Sequence, residues 1–477
     1  MEIPDWAAKH RTKNVEIHQR GQNYYAYRIG STYVPTLKRS RKITEKYLGK
    51  VTREGIVPPR PKGPVRYGGA LDAGNITFLD RFVEPLKTAL VESFPNDWQS
   101  LLCAAVLKLC YLEPFSRLQL RYETSLAKRR WPEAHMGDDA LSGLVPRIGF
   151  QWASQRDVFR TLAQDEKHMA IDLSHVFSES QNIPWLEYGH NGDDVWRPQL
   201  QMLLCWGATT HRPGYLQLLS GATHSAQTLA HLIREIPLQE VIAVMDKGFW
   251  SPDNVKAFEE SNVHYAMALR RDLPIVHLAS STQYRKHFLY REHAQWWRAD
   301  EWEGRTLYHY LDKRIADDEE SAYLRRIETA KTAELKRKEM AAYRKARHEL
   351  GTLSILTDTG IDAAQVYTLY KERREVEYAF DALQNDLRGD VTWMRSREGM
   401  AGYFFILFLS LYLYSQVLDH LKCKKLTSTY SVRDVLTYLT KIMVVEVDGR
   451  DVLLPVTRQT QTMVDKLEVP ITQTLGL

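Results

Sequence analysis

The sequence predicts an α/β protein with a mixed sheet flanked by helices. Three apolar runs have the length and composition of buried strands, namely Met169 to Leu173, Arg197 to Thr210 and Val241 to Met245. Ser251 and Pro252 follow the third run and predict a helix start, because Ser caps the first turn and Pro fits the first helical position. Strand patterns that alternate with helical patterns are typical of α/β domains.

The composition is that of a globular protein with several domains. The 477 residues are 44% hydrophobic and 26% charged, which is enough apolar material for each domain to build its own core. The four cysteines and sixteen histidines show no spacing typical of a metal site or a disulfide framework, so a reducing bacterial cytoplasm fits. The first twenty residues are polar and basic and predict no secretory signal. No P-loop or dinucleotide fingerprint is present, so we expect no nucleotide cofactor.

Residues 1–70 predict a basic, β-rich module that ends in a linker. Between residues 9 and 66 there are fifteen Lys or Arg against three acids. Tyrosines and β-branched residues alternate around Gly30 and Ser31, which predicts a small hairpin with its turn there. A basic cluster follows, and then a linker rich in Pro and Gly. The cluster consists of Lys38, Arg39, Arg41 and Lys42, and the linker residues are Pro58, Pro59, Pro61, Pro64, Gly68 and Gly69.

Aromatic residues among clustered cations favour binding of duplex DNA through its phosphates. The alternative is a ribosome-like or merely solubilising tail. Residues 71–160 carry apolar-periodic segments and are predicted to be helical, with a second candidate role in DNA binding.

Two acids stand at strand positions where a ligand is expected. Asp246 ends the third buried run, and open α/β sheets place ligands at the carboxyl ends of their strands. Asp172 interrupts the first run, where an ionised carboxylate is costly unless it is paired or bound to a cation. The alternatives are that Asp246 caps a turn and that Asp172 lies on the polar side of an edge strand. Four neighbouring acids compete with Asp172 for its role, namely Asp165, Glu166, Asp193 and Asp194.

The segment YKERREVEYAFDALQ, residues 370–384, predicts a helix with a polar stripe beside an apolar one. Tyr370, Arg373 and Glu377 share the polar stripe with Gln384. The apolar stripe consists of Val376, Phe380, Leu383 and Leu387. An ordinary surface helix whose charges pair at i, i+4 is the alternative.

At these residues the chain resembles bacterial insertion-sequence transposases of the DDE type. Asp246 in MDKGFWSPDNV matches the second acid of that family, and Asp172 stands where the first is expected. Tyr370, Arg373 and Glu377 match the signature Y(2)R(3)E(6)K, whose final Lys is Gln384 here. The resemblance covers roughly residues 150–420 and implies a ribonuclease H-like catalytic domain with a β-rich insertion before the last acid.

The resemblance implies that Asp172, Asp246 and Glu377 hold two Mg²⁺ or Mn²⁺ ions, which suit carboxylate oxygens. Water would cut the transposon end, and the freed 3′ hydroxyl would then join that end to target DNA. Tyr370, Arg373 and Lys247 would contact DNA, while Arg388 is a candidate substitute for the Lys that Gln384 replaces. Double-stranded DNA, as inverted-repeat ends and as target, is the expected partner, bound by a homodimer. The alternatives are a catalytically impaired relative that represses transposition and a metal-dependent nuclease of the same fold.

The interval between Asp246 and Glu377 is longer than a strand and a loop require, which predicts an insertion at residues 276–360. Leu289 to Tyr310 alternates like a β-ribbon and contains Trp296, Trp297 and Trp302. In the family an insertion of this kind contacts the transposon end, and one Trp could stack on an extruded base; packing onto the main domain is the alternative. A single helix from Arg325 to Arg347 is predicted next, with nine Lys or Arg against three Glu, and it is either a solvated face or a phosphate-binding one.

Met400 to Leu418 is a run of 19 residues without a charge, long enough to span a membrane. Ser410, Ser415 and Gln416 lie within it, and its tyrosines are spread along it, so we expect a buried core helix and no membrane. We place the catalytic domain at residues 161–275 and 361–420. Residues 421–477 form a helical C-terminal region that is a candidate for dimerisation.

Overall fold

The computed structural model of the chain describes residues 3–34, 38–59, 67–178, 180, 186–188, 198–220, 242–276, 284–389, 391–392, 394–448 and 450–470. Its internal contacts divide the chain into two compact units. The smaller unit comprises Met1–Gly68 with Glu446–Arg450, and the larger comprises Gly69–Val445 with Asp451–Leu477. The domain boundaries drawn from the sequence stay predictions.

In its described residues, the smaller unit is a four-stranded antiparallel sheet with one short helix. The strands follow in chain order, and the helix α1 precedes them. Their bounds are α1 Asp5–Ala8, β1 Val15–Arg20, β2 Asn23–Val34, β3 Arg39–Val51 and β4 Ile56–Val57. Four small or apolar side chains form its core, namely Ala7, Ile17, Ala26 and Val51.

A hairpin is present, formed by β2 and β3, but the predicted turn is wrong, and the basic cluster expected after the hairpin lies at the start of its second strand. Gly30 lies inside β2, opposite Ile43 of β3, and Ser31 lies opposite Lys42. The strand continues because Tyr and β-branched residues follow Ser31 as well as precede Gly30, and Lys38 adopts the positive φ of 45° just before β3. Gly68 and Gly69 of the predicted linker lie in a strand, and Pro61 and Pro64 lie outside the described residues.

The helices predicted for residues 71–160 are present. Their bounds are α2 Gly74–Leu79, α3 Glu84–Ser93, α4 Trp98–Tyr111, α5 Leu118–Glu123, α6 Ala127–Arg130, α7 Asp138–Phe150 and α8 Trp152–Ala163. Their apolar faces belong to the same hydrophobic core as the central sheet, so the helical region and the sheet fold as one body.

The central sheet contains the three strands that the apolar runs predicted. The strands are β6 His168–Ser178, β7 Glu187–Tyr188, β8 Pro198–Gly207, β9 Pro213–Ser220, β10 Ile242–Met245 and β11 His264–Leu269. The core order is β9-β8-β6-β10-β11. β8 is antiparallel to both β6 and β9, whereas β10 is parallel to both β6 and β11. Helix α9, Pro252–Glu260, connects β10 to β11 and begins as predicted, with the Ser251 hydroxyl accepting from the Asn254 N–H at 3.1 Å.

The β-ribbon predicted before the last acid extends this same sheet. Three antiparallel strands, β12 Lys286–Tyr290, β13 His293–Trp302 and β14 Arg305–Asp312, lead to β15 Thr352–Thr357, which pairs with β11. Between β14 and β15 lie two helices, α10 Lys313–Thr329 and α11 Ala333–Ala346. The prediction of one charged helix is therefore wrong. Ala330 is extended, and the Thr332 hydroxyl caps a new helix by accepting from the Leu335 N–H at 3.2 Å.

The signature segment is helical but not one uniform helix. Helix α12 spans Ala363–Glu372 and α13 spans Arg374–Asp381, with Arg373 between them in helical dihedrals. A π-helical turn, Ala382–Asp386, follows. The predicted apolar stripe is buried, from Val376 to Leu387.

After the short strand β16, Val391–Thr392, comes the long apolar helix α14, Arg397–Cys423. By length and composition it is the one helix in the described part of the chain that could cross a membrane, and 83% of its most apolar window is buried inside the protein. Its polar side chains bond within the core, since Ser410 donates to the Ala105 carbonyl at 3.0 Å and Gln416 to that of Phe82 at 2.9 Å. This is the packing of a core helix.

The remaining elements are α15 Val432–Leu439, β17 Met443–Val447, β18 Arg450–Leu453 and α16 Arg458–Leu467. Strand β5, Tyr67–Asp72, forms a three-stranded sheet with β17 and β18.

Candidate active site

Asp172 lies on a central strand, so the edge-strand alternative is wrong. Strand β6 is flanked by β10 and β8, and the Asp172 side chain is 19% exposed. One carboxylate oxygen accepts the Leu173 N–H at 2.9 Å and the other accepts from Arg373 at 3.2 Å. Burial raises the pKa of Asp172 to about 6, although Arg373 and the Leu173 amide act in the opposite direction. Asp172 is therefore a carboxylate whose charge needs a cation nearby.

The acids near Asp172 in sequence do not take its place among the described residues. Glu166 is buried and accepts N–H groups from His168, Thr209 and Thr210 at 3.0 to 3.1 Å, so it braces a turn. Burial works against its charge, but these hydrogen bonds outweigh burial and lower the pKa of Glu166. Asp165 is exposed. Asp193 and Asp194 lie outside the described residues.

Asp246 lies beside Asp172 because of the strand register. Met245 of β10 pairs with Ile171 of β6, and each acid is the next residue on its parallel strand. Adjacent strands are about 4.8 Å apart. The Asp246 side chain makes no capping hydrogen bond to the turn Lys247–Phe249, so the turn-cap alternative is wrong. It accepts instead from the Tyr370 hydroxyl at 3.1 Å.

Arg373 contacts all three candidate acids. Its Nη1 lies 3.2 Å from Asp172, and its Nη2 lies 2.9 Å from Glu377 and 3.8 Å from Asp246. Arg373 is 8% exposed, whereas half of the Glu377 side chain is exposed. The i, i+4 pair with Glu377 is thus only one of three ion pairs. Burial opposes the charge of Arg373, but the carboxylates outweigh burial and raise the pKa of Arg373.

Tyr370 completes the polar stripe that the sequence predicted. Its ring centre lies 5.6 Å from the Arg373 guanidinium, and its hydroxyl is held by Asp246. Burial, and next the Asp246 charge, raise the pKa of Tyr370, so the hydroxyl stays a donor at neutral pH.

The family model of the transposase DDE domain matches residues 162–413, more than half of the chain. The chain belongs to the DDE transposase family. A comparison with curated proteins gives no match. In the transposase, Asp172, Asp246, Arg373 and Glu377 all lie inside the matched range.

The donor set suits a divalent metal, although the side chains are not arranged around one. Among the described residues of the transposase, no group of three His, Cys, Asp or Glu side chains could hold a metal ion in this conformation. Asp172, Asp246 and Glu377 instead contact the Arg373 guanidinium, which supplies the positive charge that they need. Three carboxylates are the hard oxygen ligands that Mg²⁺ and Mn²⁺ prefer, so the residues present fit such a cation.

Gln384 has a structural contact in the transposase. Its amide nitrogen donates to the Ser174 hydroxyl at 3.1 Å and to the His175 carbonyl at 2.8 Å. These bonds join the π-helical turn to β6, the strand of Asp172. Arg388, the candidate substitute for the missing Lys, is exposed and lines a cavity together with Lys108. Lys247 is exposed directly after Asp246.

The three tryptophans of the ribbon are half-buried and lie on two faces of β13. Trp296 and Trp302 share one face, and Trp297 lies on the other, since side chains alternate along a strand. Trp297 packs edge-on against Tyr308 at 5.7 Å. Each also carries a cation over its ring: Lys313 at Trp296, Lys286 at Trp297 and Arg305 at Trp302.

The predicted amino-terminal basic cluster is exposed at the start of β3 and just before it. Lys38, Arg39, Arg41 and Lys42 are all exposed, and Lys42 pairs with Glu16. Sequence reasoning missed one candidate residue, Lys108. Its signal is a single Lys within the apolar stretch LLCAAVLKLC of α4.

Proposed function

We propose that this transposase cuts DNA at transposon ends and joins them to target DNA, with Asp172, Asp246 and Glu377 as the ligands of two Mg²⁺ or Mn²⁺ ions. DNA is the partner that membership of the family implies. One observation carries the proposal: three carboxylates from distant parts of the chain meet one buried guanidinium. A cluster of this charge density has no need to exist for stability alone, because well-packed apolar residues would serve as well.

The sheet supports a ribonuclease H-like assignment for the catalytic domain. An antiparallel set, β9-β8-β6, is continued by the parallel strands β10 and β11, and two of the acids lie side by side in the middle. The third acid, Glu377, is on helix α13, which follows the insertion in sequence and packs against β6.

The proposed chemistry is two in-line displacements at phosphorus. In the first, a water oxygen bonds to phosphorus and the P–O3′ bond breaks, leaving a 3′ hydroxyl and a 5′ phosphate. In the second, that 3′ oxygen bonds to a target phosphorus and displaces a target 3′ oxygen, which leaves as a hydroxyl. The bound ions would activate the attacking oxygen and stabilise charge on the leaving one.

The residues of the chain orient these steps. Asp172, Asp246 and Glu377 would hold the ions, and Asp172 must be ionised to do so. When the three carboxylates bind the ions instead of Arg373, the guanidinium is free to donate two parallel hydrogen bonds to a phosphate. The Tyr370 hydroxyl would fix Asp246 or donate to the same phosphate.

Single isosteric variants test the assignment. Asp172→Asn, Asp246→Asn and Glu377→Gln should each lower Mg²⁺-dependent nicking of the DNA that flanks the gene by at least about 100-fold, while fluorescence anisotropy shows unchanged duplex binding. The matched control is Glu375→Gln, on the same helix but paired with Lys422 outside the cluster. Nicking that survives in any of the three variants, or that continues in EDTA, would overturn the metal-ligand assignment.

The same assay separates the alternatives. Binding of the ends without nicking by the wild-type chain would indicate an impaired relative acting as a repressor, and nicking without joining would indicate a nuclease. Gln384 in place of the signature Lys does not favour the catalytically impaired alternative, because its two hydrogen bonds to β6 give the side chain a structural role that needs no charge.

We also propose roles for the parts outside the catalytic domain. The exposed cations of β3 support duplex binding by the smaller unit. The ribbon β12–β14 with its cation-covered tryptophans supports contact with a transposon end, and residues 421–477 are proposed to take part in a homodimer on DNA.

A further inference from the structure

A cavity of about 1000 Å³ lies between the helical region and the segment that joins the π-helical turn to α14. Among the described residues that line it, four are cations and one is an acid. The cations are Lys108, Arg117, Arg388 and Arg395, and the acid is Asp138. We name this cavity the Lys108 groove.

Lys108 carries a buried ammonium that forms no ion pair with a carboxylate of the described residues. It is 3% exposed, and its Nζ donates to the Glu113 carbonyl at 3.3 Å. Among the described residues no carboxylate lies within ion-pair distance of it; the Glu113 carboxylate favours its charge from farther away and pairs with Arg121 at 2.7 Å. Burial, and next the charge of Arg388, lower the pKa of Lys108 to about 8, so it is still mostly charged at pH 7. A buried cation of this kind is costly unless a negative charge lies near it.

The backbone holds Arg388 at the groove. Arg388 has a φ of 56°, which is uncommon for a residue other than glycine, and its carbonyl accepts from the Tyr403 hydroxyl at 3.3 Å. Strained backbone of this type is concentrated at functional sites. The charge of Arg388 acts against that of Lys108, and the Glu113 carboxylate offsets part of this repulsion.

The amino terminus of α14 opens on the same groove. Arg395, Ser396 and Gly399 line it, and the Ser396 hydroxyl caps the helix by accepting from the Gly399 N–H at 2.9 Å. The positive end of a helix of 27 residues adds to the field of the four cations.

We propose that the Lys108 groove binds phosphates of the DNA strand whose neighbouring segment occupies the active site. The proposal rests on the proposed function and adds a DNA subsite to it. Arg388 lies 388 − 377 = 11 residues after Glu377, beyond the end of α13 and the π-helical turn, and a helical path of that length spans roughly 15 Å. That length corresponds to about four base pairs at 3.4 Å per pair. A strand that enters the groove would therefore be held about four pairs from the bond that is cut.

The test measures the salt dependence of binding to a mixed-sequence 40-base-pair duplex at pH 7. The plot of log K against log salt has a negative slope, and Lys108→Met and Arg388→Gln should each make it less steep by about 0.9, the value for one lost phosphate contact. Each variant should also lose affinity several-fold. Arg160→Gln is the matched control, because Arg160 is an exposed arginine on α8 that pairs with Asp157 and does not line the groove. It should retain the wild-type slope.

Thermal unfolding separates a ligand site from a structural lysine. Lys108→Met should melt at or above the wild-type temperature, because it removes a desolvated charge. A lower melting temperature with an unchanged slope would show that Lys108 is structural and would overturn the proposal. So would a wild-type slope in both groove variants. A rise in melting temperature with inorganic phosphate that depends on Lys108, without any change in the duplex slope, would assign the groove to a free phosphate and overturn the DNA assignment.

These failures are distinct from failure of the proposed function. If the wild-type chain nicks DNA and the groove variants bind like it, only the groove proposal is wrong. If the wild-type chain does not nick DNA while the groove variants show the expected change in salt slope, the proposal of DNA binding in the groove is supported and the proposal of catalysis is wrong.

Discussion

Arg373 balances the charge of three acids that come from β6, the end of β10 and α13. Its guanidinium touches each of them, and its Nε is buried without a hydrogen-bond partner in the described part of the chain. The arginine and a divalent cation would therefore satisfy the same carboxylates. Binding of a metal should release the guanidinium for a phosphate.

Removing Arg373 tests this competition. Arg373→Ala should lower the free energy of unfolding by about 2 kcal/mol in EDTA, a buried-pair value reduced because the carboxylates are partly exposed. Mn²⁺ should stabilise the variant more than it stabilises the wild type, since bound metal replaces the lost charge and no longer competes with the arginine. Thermal unfolding with and without millimolar Mn²⁺ measures both effects.

Arg374→Ala is the control, because Arg374 is the exposed neighbour. It should show the wild-type response to Mn²⁺. An equal gain from Mn²⁺ in wild type and Arg373→Ala would argue against a shared site.

Helices α7 and α14 cross with their backbones in close approach, which two glycines permit. A Cβ on Gly402 would lie 1.9 Å from the Val145 carbonyl oxygen, and one on Gly149 would lie 1.7 Å from that of Glu398. This crossing forms part of the wall of the Lys108 groove, because Val145 of α7 and Gly399 of α14 both line the groove. Helix α14, the candidate membrane span, is thus anchored to the helical region by backbone contact.

A methyl group at the crossing tests its role. Gly402→Ala should lower the free energy of unfolding by about 1 to 3 kcal/mol, because a carbonyl of α7 must move. Gly143→Ala on α7 is the matched control, since its Cβ would meet nothing within 4 Å, and it should gain up to about 1 kcal/mol of helix stability. Urea denaturation measures both, and equal effects would refute the close packing.

At the scale of the whole molecule, charge is unevenly distributed. The formal net charge is only +5, yet residues 9–66 hold fifteen of the cations with three acids. The strongest sequence-independent attraction for DNA should therefore come from the amino-terminal unit. The catalytic cluster is acidic and needs the rest of the protein to bring a phosphate to it.

Neutralising the amino-terminal cluster tests this division of labour. The variant replaces four cations by Gln, namely Lys38, Arg39, Arg41 and Lys42. The slope of log K against log salt for duplex binding should become less steep by the value for about three lost phosphate contacts rather than four, because Lys42 already pairs with Glu16. Exchanging Lys for Arg and Arg for Lys at the same positions should keep the slope. A slope that survives neutralisation would place the main phosphate contacts elsewhere.

Much of the local structure could be predicted from the sequence. The strand Ile242–Met245 and the start of α9 at Ser251 depend on neighbours within a few residues, and both were predicted correctly. The turn at Gly30 and the single charged helix were wrong for the opposite reason. Strand pairing continued β2 past a permissive glycine, and a capping threonine divided a helix of uniform charge.

By itself the sequence determined the apolar runs, the polar stripe of Tyr370, Arg373 and Glu377, and the resemblance to DDE transposases, because each depends on residues close together in the chain. Only the tertiary structure decided that β6 is central, that Asp172 lies beside Asp246, and that Lys108 faces a groove shared with Arg388. Those facts depend on strand order and helix packing between residues far apart in sequence. Local propensity carries no information about which of many buried or acidic residues will meet across such distances.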